Sequence, residues 1–170
     1  MGFDRAVRAL VTRRGDALRA MYVGGKGNAT ARWFARVWAW AFGKGIMPGR
    51  RWVTLEVPGR KTGNPTRFPL GMATVDGQDY LGAMLGNDCN WVRNVRANDG
   101  DAIIERRRRR QVHLMEVPVA ARPPLLREYL RQVPGARPHI PVAYTQPVAD
   151  FESISADYPV FAVRAARPVG

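Results

Sequence analysis

The sequence predicts an α+β fold in which a mostly antiparallel sheet curls into a small barrel. Three observations support this class. Two stretches with apolar residues at helical spacing, 3–23 and 31–45, precede the strands. Alternating, β-rich stretches follow, and the Asp-Gly pair at 76–77 separates two of them as a tight hairpin turn would. A second hairpin is expected around the arginine run at 106–110.

Turn and loop residues separate the predicted strands and helices along the chain. Strands are expected at 52–57, 68–75, 78–85, 101–106, 110–117 and 159–165, and short helices at 90–98, 121–133 and 149–157. Asn90 is the expected N-cap of the first of these helices, with Trp91, Val92 and Val95 facing inward. The proline-rich stretch 134–148 is expected to be an irregular loop.

Length and composition limit the classes of protein to which this chain can belong. A chain of 170 residues, 46% of them hydrophobic, is expected to form a globular domain with a sizeable core. We divide it into an N-terminal helical segment at 1–49 and a barrel domain at 50–170. One cysteine, Cys89, and two histidines cannot form a Cys/His zinc site, so no metal is expected. Asp88 would raise the pKa of the neighbouring Cys89 thiol, which is therefore interpreted as non-catalytic.

The charge and the aromatic helix at 31–45 constrain the partners. A formal net charge of +13 calls for a negative partner, but the run at 106–110 is interpreted as a solvated hairpin tip. Nucleic acid therefore ranks last among the partners. The aromatic helix has a basic fringe, typical of a helix that is buried, packed in a homodimer or in contact with a membrane surface. The expected location is the cytoplasm, free or peripheral at a membrane.

The stretch PGRKTGNPTRFPL at 58–70 is the first candidate site. Gly59 and Gly63 permit a tight backbone around Arg60, Lys61 and Thr62. Successive amides in such a turn can form an anion-binding nest, and the two cations suit a phosphate or a polycarboxylate. The sequence therefore predicts an anion-binding loop here.

The stretch GNDCNWVRNVRAN at 86–98 is the second candidate site. It follows a predicted strand and leads into a predicted helix, so backbone amides are expected at the end of the sheet. An aromatic side chain just past the helix start can cover a planar ligand. We therefore expect this segment to face an anion or an electron-rich carbonyl.

These elements, in this order, resemble the deazaflavin-dependent nitroreductase family of the flavin/deazaflavin oxidoreductases. The matching pieces are GRKTGNP at 59–65, the Pro-Leu pair at 69–70, the Asp-Gly turn at 76–77, WVRNVRAN at 91–98 and YPVFAV at 158–163. The resemblance implies a split, FMN-binding-like β-barrel that binds coenzyme F-420, a deazaflavin with a phosphate and a polyglutamate tail. Some relatives bind FMN instead, and some appear among fatty-acid-binding or membrane-associated proteins.

The resemblance also implies roles for individual residues. Arg60, Lys61 and Thr62 would hold the phosphate and the acidic tail, and Pro69 and Leu70 would pack under the cofactor. The backbone of Leu85, Gly86 and Asn87, together with Trp91 and Asn94, would border the deazaflavin ring. Thr66 stands where the family has a second arginine, and Arg67 one residue later is expected to point to the opposite face of its strand. The acceptor is expected at the loop 134–148, which offers Arg137, His139 and Tyr144.

Two functional hypotheses remain open at this point. The first is an F-420-dependent oxidoreductase that transfers a hydride to a quinone-like, nitroaromatic or other unsaturated small-molecule acceptor. The second is a fatty-acid or lipid carrier of the same fold without redox activity, motivated by the aromatic helix at 31–43 and by the reduced positive charge of the expected pocket.

Overall fold

The computed structural model describes residues 51–166, so the predicted helices at 3–23 and 31–45 lie outside the described residues. Six strands are present in this range: β1 (Trp52–Pro58), β2 (Pro65–Val75), β3 (Gln78–Gly82), β4 (Asp101–Glu105), β5 (Arg109–Glu116) and β6 (Val160–Ala165). All neighbouring strands are antiparallel, and the order β1-β2-β3-β6-β5-β4 closes through pairing of β1 with β4. This barrel confirms the predicted α+β, split-barrel fold class.

Helix α1 (Asn90–Ala97) closes one end of the barrel. Its buried face contains Trp91, Val92 and Val95, as the sequence predicted, and the Trp91 ring lies 5.3 Å from the Phe161 ring of β6. The prediction that Asn90 is the N-cap is wrong, because Cys89 occupies that position and makes no capping hydrogen bond.

Helix α2 (Arg122–Gln132) covers the outer face of the barrel, where a second apolar cluster forms around Tyr129, Leu126 and Phe151. Two glycines allow this close approach. A Cβ added at Gly82 would lie 2.8 Å from the Tyr129 ring, and one at Gly71 would lie 2.3 Å from Val133. Both separations are too short for any side chain larger than hydrogen, so glycine is required at these contacts. The helix was predicted at 121–133, and the fold confirms it.

The turns differ from the prediction mainly in their limits. β2 begins at Pro65 rather than at 68 because its pairing with β1 extends to Pro58, which leaves a loop of residues 59–64. β3 ends at Gly82, and residues 83–89 form a turn instead of the predicted end of the strand. The Asp-Gly turn is confirmed, with φ of 49° and 76° at its two residues. The predicted helix at 149–157 is a 3₁₀ helix (Val148–Ile154), and the loop 134–148 contains a short 3₁₀ turn (Pro134–Ala136).

The arginine run forms the tip of the β4–β5 hairpin, as predicted. Arg107 and Arg108 are exposed there, whereas Arg109 pairs with Glu56 and Arg110 with Asp79. Within residues 51–166 the first three arginines of the run, of which Arg106 is half-buried, form no ion pair. Of the helices described in residues 51–166, none is long and apolar enough to cross a membrane.

Candidate functional site

The two segments predicted to bind a ligand meet at helix α1. The Arg60 guanidinium donates to the side-chain oxygen of Asn94 at 2.9 Å and to that of Asn90 at 3.4 Å. Asn90 directly follows residues 83–89, the second predicted segment. The fold therefore places the cationic loop 59–64 beside the turn that leads into α1, although about 30 residues separate them in sequence.

Asn94 connects three parts of this region. Its side chain is 3% exposed. Its oxygen accepts from the Arg60 amide at 3.3 Å and from the Arg60 guanidinium, and its Nδ2 donates to Thr66 Oγ1 at 3.1 Å. The Thr66 hydroxyl in turn donates to the Val57 carbonyl at 2.7 Å. The side-chain amide of Asn94 thus bonds to protein groups at both its oxygen and its nitrogen, and it connects the loop 59–64 to α1.

The loop 59–64 does not form the predicted nest of open amides. The amides of Gly59, Thr62 and Gly63 donate to carbonyls within the loop at 2.7 to 3.2 Å. The Asn64 amide donates to Thr62 Oγ1 at 3.3 Å, and the Arg60 amide is taken by Asn94. The tight turn satisfies its own backbone because its carbonyls point inward. Anion binding here would therefore depend on side chains.

Lys61 is the side chain of this loop that is best placed to bind an anion. It is exposed, and neither its ammonium nor its amide contacts an acceptor among the described residues. An ammonium on a flexible stem is a point charge with three donors, which suits a phosphate or a carboxylate. Arg60 retains N–H donors beyond those that contact α1, since a guanidinium has five.

The turn 83–89 has an open backbone and a fixed side chain. The Gly86 amide donates to the Ala83 carbonyl at 2.9 Å, with Gly86 in a positive-φ conformation of 85°. The amides of Asn87 and Asp88 meet no acceptor within residues 51–166. The side chain of Asn87, by contrast, is held at both ends by Arg96 and by the Ala156 carbonyl. Backbone donors, rather than the Asn87 side chain, are available to a ligand here.

Leu85 and Trp91 differ in their exposure. Leu85 is 38% exposed at the surface of the turn, which agrees with a role at the edge of a ligand. Trp91 is 5% exposed and packs in the barrel core against Phe161. Its indole belongs to the barrel core, and its place at the border of the deazaflavin ring stays a prediction.

Pro69 and Leu70 lie on opposite faces of β2. Leu70 is buried in the barrel core, and Pro69 is a half-buried residue opposite Thr54 of β1. Alternation along a strand separates neighbouring side chains in this way. Their packing under the cofactor stays a prediction, with Leu70 in the core and Pro69 on the other face of β2.

Thr66 and Arg67 diverge as the sequence predicted. Thr66 bonds inward to α1 and β1, while Arg67 pairs with Glu56 and Glu105 on the outer surface of the barrel. The charge of Arg67 is therefore directed to carboxylates and not toward the loop 59–64. It cannot replace the family arginine whose place Thr66 takes.

Cys89 lies at the end of the turn as a buried, unreactive group. Burial raises the pKa of the Cys89 thiol to about 11, with Asp88 adding to the same effect. Its sulfur donates to the Gly86 carbonyl at 2.9 Å. A neutral thiol is a poor nucleophile, which agrees with the non-catalytic interpretation.

Sequence reasoning missed a set of charged residues next to the turn. Glu116, Arg96 and Arg122 form ion pairs at the junction of β5, α1 and α2. Each was interpreted only as part of a helix or a strand, and no local motif marks them. Their spacing of 6 and 20 residues gives no signal of contact before the fold is known.

The residues expected to contact an acceptor are partly engaged by the protein. The Arg137 guanidinium lies 4.3 Å above the Tyr144 ring and donates to the Leu130 carbonyl at 2.9 Å. His139 is buried, and its carbonyl accepts from the Tyr158 hydroxyl at 3.1 Å. Within residues 51–166, no group of three or more acidic, cysteine or histidine side chains is arranged to hold a metal ion.

Comparison with known proteins yields one family and a set of similar folds. The family model described as F420H(2)-dependent quinone reductase matches residues 30–139, more than half of the chain. This match confirms the resemblance to the F420-using reductases inferred from the sequence. A search of curated proteins gave no match.

Two solved structures are among those similar to this chain. Atu2129 from Agrobacterium tumefaciens, of unknown function, is 12% identical, with a TM-score of 0.52 over 69% of this chain and 49% of that one. This chain thus spans about half the length of Atu2129. An F420-H2 dependent reductase (FDR-A) is 21% identical, with a TM-score of 0.47 over 68% of this chain and 96% of that one.

Proposed function

Because this chain belongs to the F420H(2)-dependent quinone reductase family, it is an F420-dependent oxidoreductase, and we propose that its hydride acceptor is quinone-like or nitroaromatic. The bound cofactor supplies the hydride chemistry, while the protein binds, orients and shields it. The substrate assignment rests on the family's description and on the arrangement of donors around α1. The proposed acceptors are small, planar, electron-poor molecules.

The observation that carries the proposal is the contact between Arg60 and α1. Lys61, the exposed cation next to Arg60 in the loop, and the unbonded amides of Asn87 and Asp88, in the turn that leads into α1, are proposed to bind one ligand. Cations at one end and backbone donors at the other suit a ligand with an acidic tail and a carbonyl-bearing ring system. The donor set present therefore fits F420.

Within this proposal each residue has a physical role. Lys61 and Arg60 bind the phosphate and the acidic tail, with the Thr62 hydroxyl as a further donor. The amides of Asn87 and Asp88 face the ring, and Leu85 covers its edge. Asn94 holds the loop 59–64 in place but does not contact the ligand. The buried Cys89 thiol remains protonated, so it does not compete as a redox group.

The acceptor is proposed to enter beside the loop 134–148. Tyr158 bonds this loop to the chain segment that also contacts the turn, since the Ala83 amide donates to the Pro159 carbonyl at 2.8 Å. His139 is the loop residue at this connection, and Tyr144 follows five residues later in the loop. The lipid-carrier alternative, the homodimer and the membrane contact depend on residues outside 51–166 and remain predictions.

The proposal is tested by anaerobic titration of the purified protein with reduced F420, followed by addition of menadione or a nitroaromatic compound. Binding, and reoxidation of the cofactor that depends on the acceptor, is the expected result. Bound cofactor that no acceptor reoxidises would contradict the acceptor assignment. Absence of binding up to high micromolar F420 would contradict the cofactor site itself.

A further inference from the structure

Glu116, the last residue of β5, lies between two arginines that come from different helices. Arg96 of α1 donates to it through Nε at 2.9 Å and through Nη2 at 2.6 Å. Arg122 at the start of α2 donates to the same carboxylate at 2.9 Å. A two-point pair from a guanidinium fixes orientation as well as distance, so Glu116 determines where Arg96 points.

Arg96 also binds the turn 83–89. Its Nη2 also donates to Asn87 Oδ1 at 3.0 Å. Asn87 is the residue whose open backbone amide is proposed to face the cofactor ring. The Arg96 guanidinium thus contacts both the Glu116 carboxylate and the side-chain oxygen of Asn87.

Arg122 is connected, through the backbone at 155–156, to the other end of the Asn87 side chain. Arg122 is 5% exposed and donates to the Ser155 carbonyl at 2.9 Å and to the Val117 carbonyl at 2.8 Å. The next carbonyl along the chain, that of Ala156, accepts from Asn87 Nδ2 at 2.7 Å. The backbone at 155–156 therefore connects Arg122 to Asn87.

These contacts close a ring through one carboxylate. We call this ring the Glu116 network. Its members are Asn87, Arg96, Glu116, Arg122 and the carbonyls of residues 155–156. Removing the Glu116 charge would leave two guanidiniums close together, one of them buried without its carboxylate, and like charges in that position repel. Arg96, whose side chain is 40% exposed, would then turn toward solvent and release Asn87.

From this geometry we propose that Glu116 is a positioning residue that shapes the turn 83–89 for the cofactor ring, through Arg96, Arg122 and Asn87. This inference rests on the proposed function, because it assigns the purpose of the network to the ring side of the F420 site. Glu116 itself contacts no ligand in this proposal. Its effect on binding passes entirely through Asn87.

The test compares Glu116→Gln with Glu56→Gln. Glu56 also pairs with two arginines, Arg67 and Arg109, but it belongs to β1 and shares no ion pair with a member of the Glu116 network. We expect Glu116→Gln to weaken F420 binding about tenfold, the effect of losing one charge-assisted hydrogen bond, and Glu56→Gln to bind as the wild type does. Equal affinity of Glu116→Gln and the wild type would overturn the proposal.

A double-variant cycle tests whether the effect passes through Asn87. In an Asn87→Ala background, Glu116→Gln should cause no further loss of F420 affinity, because the contact it supports is already absent. Independent, additive losses would overturn the network as the route. Arg96→Lys keeps the charge, but a lysine cannot pair with Glu116 at two points and also reach Asn87. This variant should therefore show the same loss of F420 affinity, and it serves as the test if Glu116→Gln fails to fold.

Amide hydrogen exchange gives a measurement that needs no cofactor. Glu116→Gln and Arg96→Lys should speed exchange at Ala83, Gly86 and Cys89, whose amides are bonded within or beside the turn, and should leave the amides of β1 unchanged. Unchanged exchange at the turn would overturn the network. If the wild type fails to bind F420, the proposed function fails while this measurement still decides whether Glu116 orders the turn.

Discussion

The guanidinium of Arg60 and the buried amide oxygen of Asn94 are joined by a hydrogen bond of 2.9 Å, which ties the loop 59–64 to α1. The same oxygen accepts the Arg60 backbone amide. One side chain of the helix thereby fixes both the backbone and the charge of the loop. Four predictions follow from this and related contacts.

Asn94→Ala should destabilise the protein by about 1–3 kcal/mol, because the Arg60 amide and Thr66 lose partners in a partly buried region. Chemical denaturation measures this free energy of unfolding. Asn90→Ala is the matched control, since Asn90 is on the same helix and only accepts longer contacts of 3.4 and 3.5 Å. It should cost less than about 0.5 kcal/mol. Equal costs for both would contradict the role of Asn94.

Lys61→Glu should weaken F420 binding about tenfold or more and should reduce its dependence on salt, because an attractive charge becomes a repulsive one. Titrations at low and at high ionic strength measure both effects. Arg107→Glu makes the same change in net charge at the β4–β5 tip, where β4 ends opposite Thr54, away from the loop that follows Pro58. Equal losses for the two variants would indicate a response to total charge rather than a site at Lys61.

Gly71→Ala should destabilise the protein by about 1–3 kcal/mol, because the added Cβ would lie 2.3 Å from Val133 Cγ1. Shortening Val133 to alanine removes that clash. The double variant Gly71→Ala with Val133→Ala should therefore unfold with a smaller loss than the sum of the two single losses. Strict additivity in denaturation experiments would show that α2 shifts away from β2 instead of clashing.

The stabilising effect of Glu116 should depend on pH. The hydrogen bond from Arg96 lowers the pKa of Glu116 below its ordinary value, with burial opposing this effect. A carboxylate with a lowered pKa stabilises the folded state fully above its unfolded pKa of about 4.3, and this effect is lost as pH falls through the folded value. The free energies of unfolding of the wild type and Glu116→Gln should therefore differ at neutral pH and converge below about pH 4. A gap that stays constant with pH would refute this charge effect.

The sequence predicted the fold well because its strongest signals are local. Alternation of apolar residues, the Asp-Gly turn at 76–77 and the inward face of α1 follow from spacing within single elements. The limits of β2 and β3 were less predictable. They depend on the pairing of β2 with β1 and of β3 with β6, which spacing alone does not reveal.

The sequence by itself determined the barrel, the cationic character of the loop 59–64 and the relation to F420-using reductases. Only the tertiary structure decided which groups are open to a ligand. It directed the loop amides inward, buried Trp91 and Asn94, and exposed Lys61 and the amides of Asn87 and Asp88. The physical reason is that hydrogen-bond partners such as Arg60 and Asn94 lie 34 residues apart, so folding alone determines which donors remain available.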